Sequence, residues 1–220
     1  MRLFYDAATT TMKVLLIALT RWRVEGKENV PRTGPLIIAA NHHNVIDPPL
    51  LSASVPRRIN FIAKEELFRS WKVRAIVQGY GAFPVRRGQL DRVALRWALA
   101  ALQNGGVLGM FPEGKRSPNA QLQSPQPGTS LLAARSGVPV LPVGISGSER
   151  VKGIGFILHR PRITVTIGRP FLLPSAGEKL TRSRLAQHSE SIMEHIAELL
   201  PESYRGVYDL RGSLRSENGD

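Results

Sequence analysis

Leu36-Ile37-Ile38-Ala39-Ala40-Asn41-His42-His43-Asn44-Val45-Ile46-Asp47-Pro48 is the stretch whose reading decides the fold. Five apolar residues in succession lack the alternation of a half-exposed strand and are too few for a buried helix. They read as a strand covered on both faces. The chain turns polar immediately after Ala40. Asp47-Pro48 then suits the start of a helix, with Asp as a cap and Pro in the first turn. Strand, polar turn and helix in that order belong to an α/β sheet, and the carboxyl end of such a strand is where sites are built.

Similar apolar runs recur at 59–63, 81–85, 107–111, 138–145 and 163–167, with helical patterns at 67–78, 91–104, 128–136 and 180–200. Alternation of this kind predicts an α/β fold, a mixed, mainly parallel sheet flanked by helices. With 220 residues the chain fits one such domain. We place that domain at 25–204, after an N-terminal helix at 1–24 and before a polar tail at 205–220. Segment 117–127, rich in Pro, Gln, Ser and Asn, reads as a mobile loop.

Within 1–24, Phe4, Ala8, Leu15, Leu19 and Trp22 recur at helical spacings, with Arg2, Lys13, Arg21 and Arg23 among them. Two readings stand: a terminal helix packed on the domain, or an amphipathic helix lying in a membrane interface. The apolar stretch is closed by Lys13 and Arg21, short of the ~20 residues that a bilayer span requires. It also lacks a small-residue cleavage site of the secretory kind.

Thirty Lys and Arg against seventeen Asp and Glu leave a net charge of +13, which calls for a polyanionic partner: nucleic acid, an anionic membrane surface or a phosphorylated substrate. Scattered cations, an aromatic content of 6% and the lack of a recognisable reading module argue against nucleic acid. Cysteine is absent, which removes disulfides, thiol nucleophiles and thiolate metal sites. Gly144-Ile145-Ser146-Gly147 has the wrong spacing for a serine-hydrolase elbow. Nothing in the sequence points to a metal site or a bound cofactor.

Three polar stretches follow predicted strands. In the first, Asp47 can orient His42 through one imidazole nitrogen and leave the other as a base. On a regular helix the two side chains would diverge by about 140°, so the pairing needs His42 in the turn, with the helix starting after it. The structural alternative is Asp47 as a helix cap and His42 as a satisfied core histidine. In the second, Gly81-Ala82-Phe83-Pro84-Val85-Arg86-Arg87 delivers two guanidiniums at a strand end, suited to a phosphate or to a solvated basic turn. In the third, Phe111-Pro112-Glu113-Gly114-Lys115-Arg116-Ser117 sets a carboxylate between a residue that fixes φ and one that frees it, beside two cations.

Together these stretches resemble the blocks of the glycerophospholipid acyltransferase family. Asn41, His42 and Asp47 match its Asn-His and His-x4-Asp block; Gly81, Phe83 and Arg87 match its second; Phe111 to Ser117 match its Phe-Pro-Glu-Gly-Thr-Arg-Ser block; and Val138-Pro139-Val140-Leu141-Pro142-Val143 matches its fourth. Lys115 stands where the family usually has Thr, and Asn44 where it often has Ser. The resemblance implies a glycerol-3-phosphate acyltransferase-like domain with His42 as base and Asp47 as its orienting partner. Arg87 and Arg116 are expected on the acceptor's phosphate, and Glu113 and Gly114 near its hydroxyl. The implied substrates are an acyl-CoA or acyl carrier protein donor and a lysophospholipid acceptor, 1-acylglycerol-3-phosphate first; another lysolipid or glycerol 3-phosphate is the alternative. The enzyme is expected at the cytoplasmic face of a membrane, peripheral, on an anionic surface.

Overall fold

The computed structural model describes residues 2–85, 92–174 and 180–209. Among these residues seven strands form one sheet: β1 (Arg21–Glu25), β2 (Leu36–Ala40), β3 (Ile59–Lys64), β4 (Ala82–Val85), β5 (Val107–Met110), β6 (Val140–Ser146) and β7 (Arg162–Ile167), in the order β1-β7-β6-β2-β5-β3-β4. From β6 to β4 the five strands run parallel, whereas β7 pairs antiparallel with β6 and β1 runs parallel to β7. The carboxyl ends of β2, β5 and β6 therefore share an edge with the amino ends of β7 and β1. The predicted mixed, mainly parallel α/β sheet is the one observed.

Eight helices accompany the sheet among the described residues: α1 (Arg2–Leu19), α2 (Asp47–Ser54), α3 (Trp71–Gly79), α4 (Arg92–Gln103), α5 (Gly128–Ser136), α6 (Phe156–His159), α7 (Arg182–Ala197) and α8 (Glu202–Arg205). α1 and α2 pack on one face, where Leu16, Leu50 and Leu51 meet Ile38, Ile163 and Val165. α4, α5 and α7 cover the other, where Ala98, Leu132 and Ile192 meet Ile37, Leu108 and Val140. β2 lies between them with all five residues buried, as an unbroken apolar run requires.

The N-terminal helix ends at Leu19 rather than near residue 24. Arg21–Glu25 is an edge strand, with Trp22 and Val24 turned to the core and exposed Arg21 and Arg23 alternating with them. The core-facing row of α1 is Tyr5, Thr9, Met12 and Leu16. Phe4 and Leu15, which the helical spacing had placed on its apolar face, are about half exposed. Segment 117–127 is irregular as expected, yet it is tied down: Leu122 is buried, and its N–H donates to the Tyr204 carbonyl at 2.9 Å. No described helix is long and apolar enough to cross a membrane.

Candidate active site

β2 ends at Ala40, and the next four residues form a turn that is held from both sides. Asn41, fully buried, lies against β6: its Oδ1 accepts from the Ile145 N–H at 2.7 Å and its Nδ2 donates to the Ile145 carbonyl at 2.8 Å. A buried amide that lost both bonds would be destabilising by ~1–3 kcal/mol. Asn44 Nδ2 donates to the carbonyls of Ser148 and Val151 at 2.8 and 3.0 Å, joining the turn to the chain after β6.

Asp47 opens α2 but does not cap it; its side chain points back into the turn. Oδ2 accepts from His42 Nδ1 at 2.8 Å and from the backbone N–H groups of His43 and Asn44, each at 2.7 Å. Three donors on one buried oxygen fix it as an acceptor, so His42 carries its proton on Nδ1 and a lone pair on Nε2. The Phe111 ring stacks on the imidazole, centroids 4.2 Å apart, and sets its plane. Among the described residues Nε2 has no hydrogen-bond partner, and the side chain is 13% exposed. The imidazole is oriented so that it can serve as a base, and the pairing uses the turn-then-helix geometry inferred from the sequence.

Glu113 stands beneath this turn. Pro112 and Gly114 build a tight turn in which the Gly114 N–H donates to the Phe111 carbonyl at 2.9 Å, and Gly114 takes a φ of 68°. The carboxylate is buried: Oε1 accepts from the His42 N–H at 2.9 Å and Oε2 from the Gln123 N–H at 3.0 Å. Burial pushes its pKa up to about 7 against the pull of those two donors and of Lys115. Each of its oxygens thus accepts from a backbone N–H, one of them that of His42, which ties the carboxylate to the turn. Gly114 is exposed at the rim.

The Ser117 N–H donates to the His42 carbonyl at 2.7 Å and so brings Arg116 to the same turn, exposed and without a protein partner among the described residues. Arg87 lies outside the described residues. Among the described residues no group of three or more His, Asp or Glu side chains is placed to hold a metal ion.

Sequence reasoning gave no role to His43. It turns away from the open side and is buried. Its Nε2 accepts from Asn41 Nδ2 at 3.1 Å, and its Nδ1 lies 3.9 Å from Glu149 Oε2. Tyr204 stacks on it, with its hydroxyl donating to Glu149 Oε1 at 2.8 Å and accepting from the Gly147 N–H at 3.1 Å. Desolvation lowers the His43 pKa although Asp47 and Glu149 pull it up, so His43 is held neutral as a structural histidine.

An oriented imidazole at a strand end, with an exposed cationic rim, is an arrangement that can take a proton from an incoming hydroxyl. The chain belongs to the acyltransferase family: the family model described as Acyltransferase matches residues 21–146. It is an O-acyltransferase. It is 26% identical to the 1-acyl-sn-glycerol-3-phosphate acyltransferase of Bacillus subtilis over 89% of this chain and 96% of that protein. It is 28% identical to the Streptococcus pneumoniae protein of the same name over 70% and 60% of the two chains. The crystal structure of the 1-acyl-sn-glycerophosphate (LPA) acyltransferase PlsC from Thermotoga maritima superposes with a TM-score of 0.69 at 27% identity, covering 89% of this chain and 78% of that one.

Proposed function

We propose that the enzyme transfers a fatty acyl group from acyl-CoA or acyl carrier protein to the free hydroxyl of 1-acylglycerol-3-phosphate, forming phosphatidic acid in phospholipid biosynthesis. The observation that carries this reading is the 2.8 Å His42–Asp47 pair, with Arg116 exposed on the segment bonded to the His42 carbonyl and without a protein partner among the described residues. The names of the relatives support the choice of acceptor. His42 Nε2 takes the hydroxyl proton as that oxygen attacks the thioester carbonyl. Asp47 stabilises the imidazolium that results. Collapse of the tetrahedral intermediate breaks the carbon–sulfur bond, and the departing thiolate takes the proton from His42. Arg116, with Arg87, binds the acceptor phosphate; a guanidinium matches that group in charge and fork geometry.

The reading includes a peripheral seat on a membrane. α1 is apolar on two sides. Opposite its core row, Leu3, Ala7, Val14 and Ile17 form an exposed stripe at spacings of three, four and seven. The test is purified enzyme offered lysophosphatidic acid, other lysolipids and glycerol 3-phosphate, with each donor in turn. The reading predicts transfer to lysophosphatidic acid above all others, and a R116A variant whose acceptor KM rises well beyond its donor KM. Preference for an acceptor without phosphate overturns it.

A further inference from the structure

The β6–β7 connection carries an exposed aliphatic cluster for which acyl transfer has no use. β7 runs back against β6, so the chain between them never crosses the sheet and stays on the edge that holds His42. The connection begins against the catalytic turn, where Ser148 and Val151 receive Asn44. It then swings outward into α6. Ile154 and Leu158 are 83% and 86% exposed, and Ile157 is 40% exposed. Single exposed aliphatics are ordinary on a soluble surface, but three within five residues form a patch. On the return, Arg160 Nη2 donates to the carbonyls of Ile17 and Thr20 at 3.1 and 3.5 Å, which joins the patch to the end of α1 and its exposed Val14 and Ile17.

The surroundings select the occupant. Lys152, Arg160 and Arg162 are exposed around the aliphatic tip, and Lys13 and Arg21 are exposed on the adjoining helix end and strand. Residues 152–162 contain no Asp or Glu. A second copy of this chain would bring like charges together. A nucleic acid would take the cations and leave the aliphatic tip in water. An anionic bilayer matches both parts, with headgroup phosphates for the cations and acyl chains for the tip.

We infer that residues 152–160 are a second membrane-docking element, which sets Ile154, Ile157 and Leu158 into an anionic phospholipid bilayer beside the mouth of the active site. This rests on the reading that the acceptor is a membrane lipid. The α1 stripe alone would leave the protein free to roll about the helix axis. A contact at the catalytic edge stops that rotation and turns the open side of His42 to the lipid.

The test uses the full chain and vesicles of equal parts phosphatidylglycerol and phosphatidylcholine. An I154S/L158S variant removes two side chains with few protein contacts, so its thermal midpoint should match that of the parent. Its vesicle partition should fall by about tenfold or more, because apolar burial drives insertion. In a L158W variant, emission beyond that of the parent's three tryptophans should shift to the blue on adding vesicles and be quenched by brominated lipid. Undiminished co-sedimentation of I154S/L158S, or L158W emission indifferent to vesicles, overturns the inference. So does a parent dimer that the double substitution dissociates without loss of vesicle binding. Dispersed short-chain lysophosphatidic acid separates the two levels. A parent inactive on it with every donor defeats the acyl-transfer reading, while the vesicle measurements still decide the docking.

Discussion

His42 and His43 are neighbours with opposite surroundings: one has an open Nε2, the other has both nitrogens turned inward. H42A should reduce transfer by ~10²–10⁴-fold with the fold intact, the usual loss for a positioned base. H43Q keeps an acceptor for Asn41 and should lose far less; steady-state rates and thermal midpoints of the pair settle it, and an inactive H43Q beside an active H42A would reverse the assignment. Glu113 gives a different signature. Its folded pKa of about 7 lies above the ordinary 4.5, so between those values the folded state holds a proton that the unfolded chain has released. Its contribution to stability is full below about pH 4.5, declines as pH rises toward about 7 and is level above that. Urea midpoints at about pH 5 and about pH 8 should show this decline in the parent, and E113Q should flatten it. If Glu113 acts through its bond to the His42 N–H, E113Q should lower kcat more than either KM; a rise confined to the acceptor KM would instead place it against the acceptor. The His42–Asp47 pair was legible in the sequence because its spacing is local. The office of Glu113 was not, since its partners are backbone amides 71 and 10 residues away, and a backbone amide leaves no mark in a sequence.

At the scale of elements, α1 shows which signals a sequence carries and which it hides. β2 and β5 announce themselves as unbroken apolar runs. Arg21–Glu25 is buried on one side only, and its Trp22 happened to extend the helical spacing of α1, so the strand was absorbed into the helix. The two faces of α1 make separable predictions. L16A, on the core row, should destabilise the fold by about 2–5 kcal/mol through the cavity it leaves. V14S/I17S, on the outer stripe, should leave the thermal midpoint nearly unchanged and weaken co-sedimentation with vesicles. Equal loss of stability in both variants would mean that the outer stripe is structural. Removing residues 1–20 outright would be uninformative, because Tyr5 and Leu16 would leave the core with it.

At the scale of the whole molecule, the proposed docking draws on both the charge of +13 and the aliphatic surfaces. Raising salt from about 0.1 M to about 1 M shortens the screening length from ~10 Å to ~3 Å. Binding to anionic vesicles should weaken but persist, since apolar insertion survives screening; complete release at high salt would assign the attachment to charge alone. Composition calls for a polyanionic partner but says nothing of the side on which one would sit. That depends on the reversed direction of β7, which gathers the α1–β1 junction, the β6–β7 connection and the catalytic turn on one edge.

The same reversed strand also sets an order of assembly. Arg21 pairs with Arg162, so β1 waits for a partner 141 residues later in the chain (162 − 21). At a translation rate of ~5–20 residues per second, that wait is about 7–30 s. Throughout it the ribosome presents an apolar helix followed by an unzipped strand. Nascent chains arrested ahead of Arg162 should therefore be cleaved readily by protease around residues 19–26, and chains arrested well past Ile167 should resist.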